Sequence, residues 1–202
     1  MMFVIGITGG TGAGKTSALR ALGSLGALTL DCDEIYHELL SGNMELKAEL
    51  EARFNGILHN GSIDRAALGG IVFSDPSALL DLNEITHKYV GMEVERRIES
   101  WGMQGGTVAA VDAIALIESG RSRKCDFVAG VTAPLEKRIS RIMARDGITL
   151  KQAEMRIHAQ KPDSYYEENC DVLLEDAYDT PEEFENNCRE YFVKLIGGTA
   201  NA

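Results

Sequence analysis

The stretch that most constrains this chain is GGTGAGKT, Gly9–Thr16, which follows directly on the apolar run FVIGI, Phe3–Ile7. Five glycines fall between Gly6 and Gly14. Glycine loses more conformational freedom on ordering than any other residue, so such a cluster is a poor choice for stability alone. It makes sense where a backbone must wrap closely around a ligand. The segment matches G-x-x-x-x-G-K-[S/T], with a strand-like run before it and the helical pattern SALRALGSLG after it, as a phosphate-binding loop requires. Glycines let successive N–H groups face a phosphate, and the helix N-terminus adds a favourable dipole. On this reading Gly10, Thr11, Gly12, Ala13, Gly14, Lys15 and Thr16 hold the nucleotide; Lys15 reaches the β- and γ-phosphates, and the Thr16 hydroxyl serves Mg²⁺. The set closes at Thr16: no second threonine follows at position 17, which is Ser17, and that position is expected to add nothing to the nucleotide site. A dinucleotide fingerprint would want glycine where Lys15 stands, so ATP or another nucleoside triphosphate is the better match.

The strand-loop-helix opening continues into ALTLD, a second short strand, and so into an α/β sheet with both faces covered. Strand-like runs at 3–7, 27–30, 107–111, 126–131 and 171–174 predict an α/β protein with a P-loop nucleoside triphosphate hydrolase-like fold. Its sheet is expected to be five-stranded and mainly parallel, with the first strand central. From Asp33 to about Gly102 the pattern is helical, broken at SGN (41–43), HNGS (59–62) and SDPS (74–77), and no strong strand signal occurs there. The expected division is a kinase core of 1–33 and 105–202, including a lid at about 134–160, and an all-helical substrate-binding insertion at 34–104. Pro134 sits near the first turn of a lid helix that Asp146-Gly147 ends, and Thr149 caps the next helix. Thr180 caps a final helix with Pro181 at its first position, and the tail GGTANA reads as a frayed end.

Charge excludes one class of partner. The formal net charge is -11, from 20 Lys and Arg against 31 Asp and Glu, so the basic footprint of a duplex-binding protein is absent. Locally the balance reverses: Arg121 to Arg156 holds nine basic and four acidic side chains, whereas Asp163 to Ala202 holds two basic and eleven acidic. A cationic site within an acidic protein suits a small anionic substrate better than a polymer. Four dispersed cysteines without a CxxC pair suggest neither zinc nor a disulfide framework. No stretch has the form of a signal sequence or approaches 18 apolar residues. The expectation is a cytoplasmic monomer that engages neither nucleic acid nor membrane.

Direct phosphoryl transfer to a small acceptor needs a carboxylate for the acceptor hydroxyl, cations for the moving charge and a cover that excludes water. Asp31 and Asp33 lie at the carboxyl end of the second strand, where ligands of open parallel sheets sit. They can divide between metal shell and acceptor, or one of them can be a helix N-cap. Asp112 closes the third strand and either holds Mg²⁺ through water or faces the acceptor. Arg138, Arg141 and Arg145, spaced by three and four, fall on one helix face, with Arg156 one helix later. They form either a phosphate-gathering lid or a solvated basic face. His87 is the one histidine whose setting admits a ligand role, although by itself it reads as an ordinary helix-face histidine.

The ordered series of these motifs, from Phe3 to about Asp179, resembles the dephospho-coenzyme A kinase family. GITGGTGAGKT looks like that family's opening and LDCDEIYHELL like its paired-aspartate motif; DRAALGGIVFSDPSALLDLNEITHKYV is similar to its substrate domain, and RISRIMARDG with RIHAQ to its lid. The resemblance implies ATP-dependent phosphorylation of the ribose 3′-hydroxyl of dephospho-coenzyme A. It puts the general base at Asp33, with Asp31 as companion at the substrate and at Mg²⁺. Lys15, Arg141 and Arg145 then act on the transferring phosphoryl group, Arg145 also on ATP, and His87, Asp112 and Arg156 on the acceptor. Departures from the family pattern are Lys88 after the histidine, the segment DAIALIES at 112–119, Arg138 in place of a common glutamine, and Asp176 where asparagine is usual. Two rival readings are another small-molecule or nucleotide kinase on the same scaffold, and a non-catalytic nucleotide-binding regulator.

Overall fold

The computed structural model describes residues 2–199, Thr199 without its side chain; the last three residues of the GGTANA tail lie outside the described residues. The chain runs β1 (Phe3–Thr8), α1 (Lys15–Ser24), β2 (Leu28–Asp31), α2 (Cys32–Gly42), α3 (Met44–Phe54), β3 (Leu58–His59), β4 (Ser62–Ile63), α4 (Arg65–Ser74) and α5 (Pro76–Met103). It continues through β5 (Val108–Asp112), β6 (Phe127–Thr132), α6 (Leu135–Asp146), α7 (Leu150–His158), α8 (Asp163–Asn169), β7 (Val172–Glu175) and α9 (Pro181–Thr199). Contacts divide it into one unit that runs to Leu30 and resumes at Trp101, and a second from Asp31 to Ser100.

The first unit is built on a five-stranded sheet in the order β2-β5-β1-β6-β7, with β1 central. β1 pairs in parallel with β5 and β6, and β6 in parallel with β7. Ile5 and Ile7 of β1 are fully buried because they face Ala18, Ala21 and Leu22 of α1 and Phe184, Cys188 and Phe192 of α9. Each strand of this sheet ends one residue beyond its expected limit. The hydrogen-bonded register carries β1, β5 and β6 through their closing polar residues, Thr8, Asp112 and Thr132. These three end at the carboxyl edge of the sheet, the edge at which ligands sit in open α/β folds.

The second unit has its own core, with Leu46, Leu50 and Phe54 of α3 against Leu68 and Val72 of α4 and Tyr89 of α5. The all-helical expectation for 34–104 fails at one place. Leu58-His59 and Ser62-Ile63 pair as a small antiparallel hairpin. Its two-residue turn is Asn60-Gly61, with φ of 50° and 77°, the conformation that Asn-Gly accepts at low cost. The signal was present in HNGS and is a turn signal as much as a helix break. Lys47, only 5% exposed, secures this region by donating to the carbonyls of Ser41 and Gly61 at 2.6 and 2.8 Å.

Candidate active site

The connection from β1 to α1 carries the glycine-rich loop. α1 begins at Lys15, and its N-cap, Gly14, makes no side-chain cap hydrogen bond. The first turn of α1 therefore presents backbone amides that no cap side chain takes, the arrangement that suits an anion. Gly14 has φ of 106°, and a Cβ there would stand 2.6 Å from the carboxylate of Asp176, so glycine is required both by conformation and by space. Lys15 donates to the Gly9 carbonyl at 3.1 Å, which folds its ammonium back along the loop. Thr16 is exposed. Position 17 holds Ser17, not a threonine, and its side chain turns inward. Ser17 is 5% exposed, its Oγ accepts from Arg20 at 3.4 Å, and its amide donates to the Gly14 carbonyl at 2.9 Å. Its hydroxyl is thus engaged within α1, and the exposed hydroxyl at the head of the helix is that of Thr16.

The sequence singles out three sheet-edge carboxylates. Asp112, 7% exposed, ends β5 in register with Ile7 of β1, beside the strand that feeds the loop. Asp31 ends β2 and is the N-cap of α2: its Oδ1 accepts from the amides of Asp33 and Glu34 at 2.8 and 3.2 Å. The cap is thus Asp31, not Asp33. Asp33 lies in the first turn with an exposed carboxylate, stabilised there by the helix dipole. His87 is exposed on α5 of the second unit.

The arginines of α6 and α7 separate into two pairs. Arg138 is 5% exposed and donates from Nε to the Thr11 carbonyl at 3.1 Å. Arg141 donates from Nη1 to the Gly12 carbonyl at 3.1 Å and pairs through Nη2 with Asp176 at 2.8 Å. These two are spent on the phosphate loop and are not a solvated face. Arg145, one turn on, and Arg156 of α7 are both exposed and converge instead on Asp146. The Arg145 guanidinium, with help from Arg156, holds the Asp146 carboxyl below its usual range, so the cluster is ionised at neutral pH. The lid arginines do share a helix, as their spacing requires, but only Arg138 and Arg141 reach the loop.

The fold brings three further residues here: Gln160, which the resemblance puts at a motif position of the lid, and Asp163 and Asp176, to which the sequence gives no task. Gln160 follows α7 and bonds Thr11 at 2.8 Å. Asp163 opens α8 and lies 3.4 Å from Arg138. Asp176 follows β7 and is 1% exposed, with one carboxylate oxygen on Arg141 and the other buried without a hydrogen-bond partner. The hydroxyl of Tyr166, a residue 2% exposed, has its pKa pushed up to about 12 by burial first and the charge of Glu118 second, and so stays protonated near Arg138. Long-range pairings of this kind carry no local pattern. The cues in the sequence are the place of Gln160 in the lid motif RIHAQ and the departure of Asp176 and Arg138 from the family pattern.

A mainly parallel sheet with a central β1, a glycine-rich loop into an open helix N-terminus, and arginines from a following helix pair define a P-loop kinase type of protein. The family model described as dephospho-CoA kinase matches residues 3–182. The chain is 36% identical over 195 residues to the dephospho-CoA kinase of Geobacter sulfurreducens, covering 96% of this chain and 98% of that one. It is also 36% identical over 162 residues to that of Moorella thermoacetica, over 79% and 76% of the two chains. The crystal structure of a Thermus thermophilus protein superposes with a TM-score of 0.78 at 28% identity, over 96% of this chain and 98% of that one. The chain belongs to the dephospho-CoA kinase family.

Proposed function

We infer that this protein transfers the γ-phosphoryl group of ATP to the ribose 3′-hydroxyl of dephospho-coenzyme A, giving coenzyme A and ADP. The observation that carries the reading is the intact phosphate loop, with Lys15 and the open α1 N-terminus, in a chain matched to this family from residue 3 to 182. The α1 amides and the loop Gly10–Thr16 bind the phosphates, Thr11 excepted, whose amide and hydroxyl are engaged by Gln160, and Lys15 leaves the Gly9 carbonyl to reach the transferring group. Asp33 accepts the proton of the acceptor hydroxyl. Its carboxylate is exposed in the first turn of α2, and the capping task belongs to Asp31, so the chemistry need not compete with the helix. Residues 34–104 are the acceptor lobe, in which His87 contacts the acceptor. Asp112 and Arg156 also serve the acceptor; Arg145 gathers the developing phosphoryl charge, and Arg141 adds its own charge from its place between the Gly12 carbonyl and Asp176.

The residues suit Mg²⁺. No cluster of three or more His, Cys, Asp or Glu among the described residues could hold an ion alone. Mg²⁺ commonly rests on one or two protein oxygens and the substrate phosphates. Thr16 and Asp31 are the proposed oxygen donors, and the ion supplies charge neutralisation on the phosphates when bound. For the chain as a whole we propose a monomer in the cytoplasm, in keeping with four free cysteines. No helix among the described residues is long and apolar enough to cross a membrane.

The test is phosphoryl transfer by purified protein with ATP and Mg²⁺ over a panel of acceptors that includes dephospho-coenzyme A. Coenzyme A should form faster than any other product. Faster transfer to another alcohol would make this a different small-molecule kinase, and tight ATP binding without transfer would make it a regulator. The lid reading has its own check. Backbone amide exchange over 134–160 should slow when both substrates or a bisubstrate analogue are bound, since Arg145 must leave Asp146 to reach the phosphoryl group and Arg156 must leave it to reach the acceptor. Unchanged exchange at saturation would leave these two arginines as surface structure.

A further inference from the structure

A loop that turns its N–H groups toward a phosphate must turn its carbonyls away, and each carbonyl then needs a donor. The donors to the four carbonyls from Gly9 to Gly12 are identifiable. The carbonyl of Gly9 accepts from Lys15 Nζ at 3.1 Å, and that of Gly10 from the Ala13 amide at 3.2 Å. The carbonyl of Thr11 accepts from Arg138 Nε at 3.1 Å, and that of Gly12 from Arg141 Nη1 at 3.1 Å. Within this set Thr11 is held at every polar group. Besides its carbonyl, its amide donates to Gln160 Oε1 at 2.8 Å, and its Oγ1 accepts from Gln160 Nε2 at 2.8 Å.

Gln160 and Arg138 also hold one another, with Arg138 Nη2 donating to Gln160 Oε1 at 3.2 Å. Asp163 stands 3.4 Å from Nη1 and balances the buried guanidinium. The fit is close. A Cβ on Gly10 would lie 2.1 Å from Arg138 Nη2, so the guanidinium can lie against the loop only because residue 10 has no side chain. The helices that bring these groups have a small core of their own, Ile142, Ala153 and Ile157 with Ile139, Met143 and Ile148 around it. That core is aliphatic, whereas the contacts of Arg138 and Gln160 with Thr11 are polar and run to the loop.

We propose that Gln160 and Arg138 are positioning residues that fix the phosphate loop through Thr11, and that they set the strength of ATP binding rather than recognition of the acceptor. Neither directs a proton or charge at the reacting atoms. Arg138 turns the Thr11 carbonyl outward, and Gln160 holds the Thr11 amide and hydroxyl in the same sense, so the amides from Gly12 to Thr16 are arranged before nucleotide arrives. Preorganisation of this kind appears as affinity, because the ordering cost is met on folding and not on binding. The inference rests on the reading of the loop as the ATP site. Its test therefore includes a measurement that needs no ligand.

The decisive variant is Gln160→Ala, since Gln160 is half-buried and its loss leaves the helix core intact. Amide exchange over 9–16 in the ligand-free protein should accelerate, and calorimetric ATP binding should weaken by roughly tenfold, as the loss of two hydrogen bonds predicts. KM for ATP should rise in parallel while KM for the acceptor stays within about twofold, the separation that a merely structural loss would not give. Gln160→Glu should recover most of the affinity, because a carboxylate still accepts from Thr11 and Arg138 and the Thr11 hydroxyl can reverse its bond. Arg138→Lys keeps the charge but not the fork, and should behave like Gln160→Ala. Unchanged loop exchange in Gln160→Ala would overturn the proposal, as would equal weakening toward both substrates or a failure of Gln160→Glu to recover affinity. If wild-type protein bound no ATP, the functional reading would fall, and the exchange measurement alone would still decide whether Gln160 and Arg138 fix the loop.

Discussion

Lys15→Ala is expected to lower kcat/KM for phosphoryl transfer by at least ~10²-fold, about 2.7 kcal/mol of transition-state stabilisation, while the protein stays folded. Lys15 is the first residue of α1, half-buried, and its ammonium rests 3.1 Å from the Gly9 carbonyl. That anchor is a single hydrogen bond to one loop carbonyl, so its loss costs the fold little. The strands and helices that bury the core, Ile5 and Ile7 against Ala18, Leu22 and Phe192, are untouched. What disappears is a point charge on the β- and γ-phosphates, where charge shifts as the transferring group loosens. Steady-state kinetics beside thermal unfolding checks both halves of the claim. Near-normal turnover would mean that the phosphate chemistry lies elsewhere; a collapsed melting temperature would mean that the lysine is structural.

A comparable loss, ~10²-fold or more in turnover, is expected for Asp33→Asn. A carboxylate that takes the acceptor proton loses that capacity as the isosteric amide. Asp31 caps α2 through its Oδ1, and Asp33 contributes only its charge near the helix N-terminus, so the stability cost should stay within roughly 1 kcal/mol. ATP·Mg²⁺ affinity should be nearly unchanged. The companion variant Asp31→Asn keeps an oxygen for the cap but loses the charge a metal would use, so its defect should shrink as Mg²⁺ rises. Measuring kcat for both variants across a magnesium titration, beside calorimetric nucleotide binding, separates the two roles. Full activity in Asp33→Asn would transfer the base assignment to Asp112, the carboxylate that ends β5.

The local features were legible wherever the physics is local. Gly147 and Thr149 end α6 and start α7 as expected, with the capping box between Thr149 and Gln152 completing the second cap. Thr180 caps α9 in the same way, its hydroxyl accepting from the Glu183 amide. The β3–β4 hairpin was missed although its Asn-Gly turn was in view, because two-residue strands give no periodicity to read. The arginine face of α6 was half legible. Spacing put Arg138, Arg141 and Arg145 on one side of a helix, but whether a side chain is buried depends on what the helix meets, and that is set by residues far away in the chain. Arg138 meets Thr11 across 127 positions, and Arg145 meets its own neighbour, Asp146.

The sequence by itself determined the phosphate loop, the five strands of the main sheet, and the family, because each rests on residues adjacent in the chain: glycine freedom, strand runs, caps, and a motif with fixed spacing. Only the tertiary structure decided which of two neighbouring aspartates spends its oxygen on a helix cap. The same holds for the arginines that serve loop carbonyls and for Gln160 and Asp176, which belong to that network. The reason is that a hydrogen-bonding side chain has several satisfactory partners, and its choice is made by burial and distance once the sheet has brought residues 9–16, 138–141, 160 and 176 to one edge.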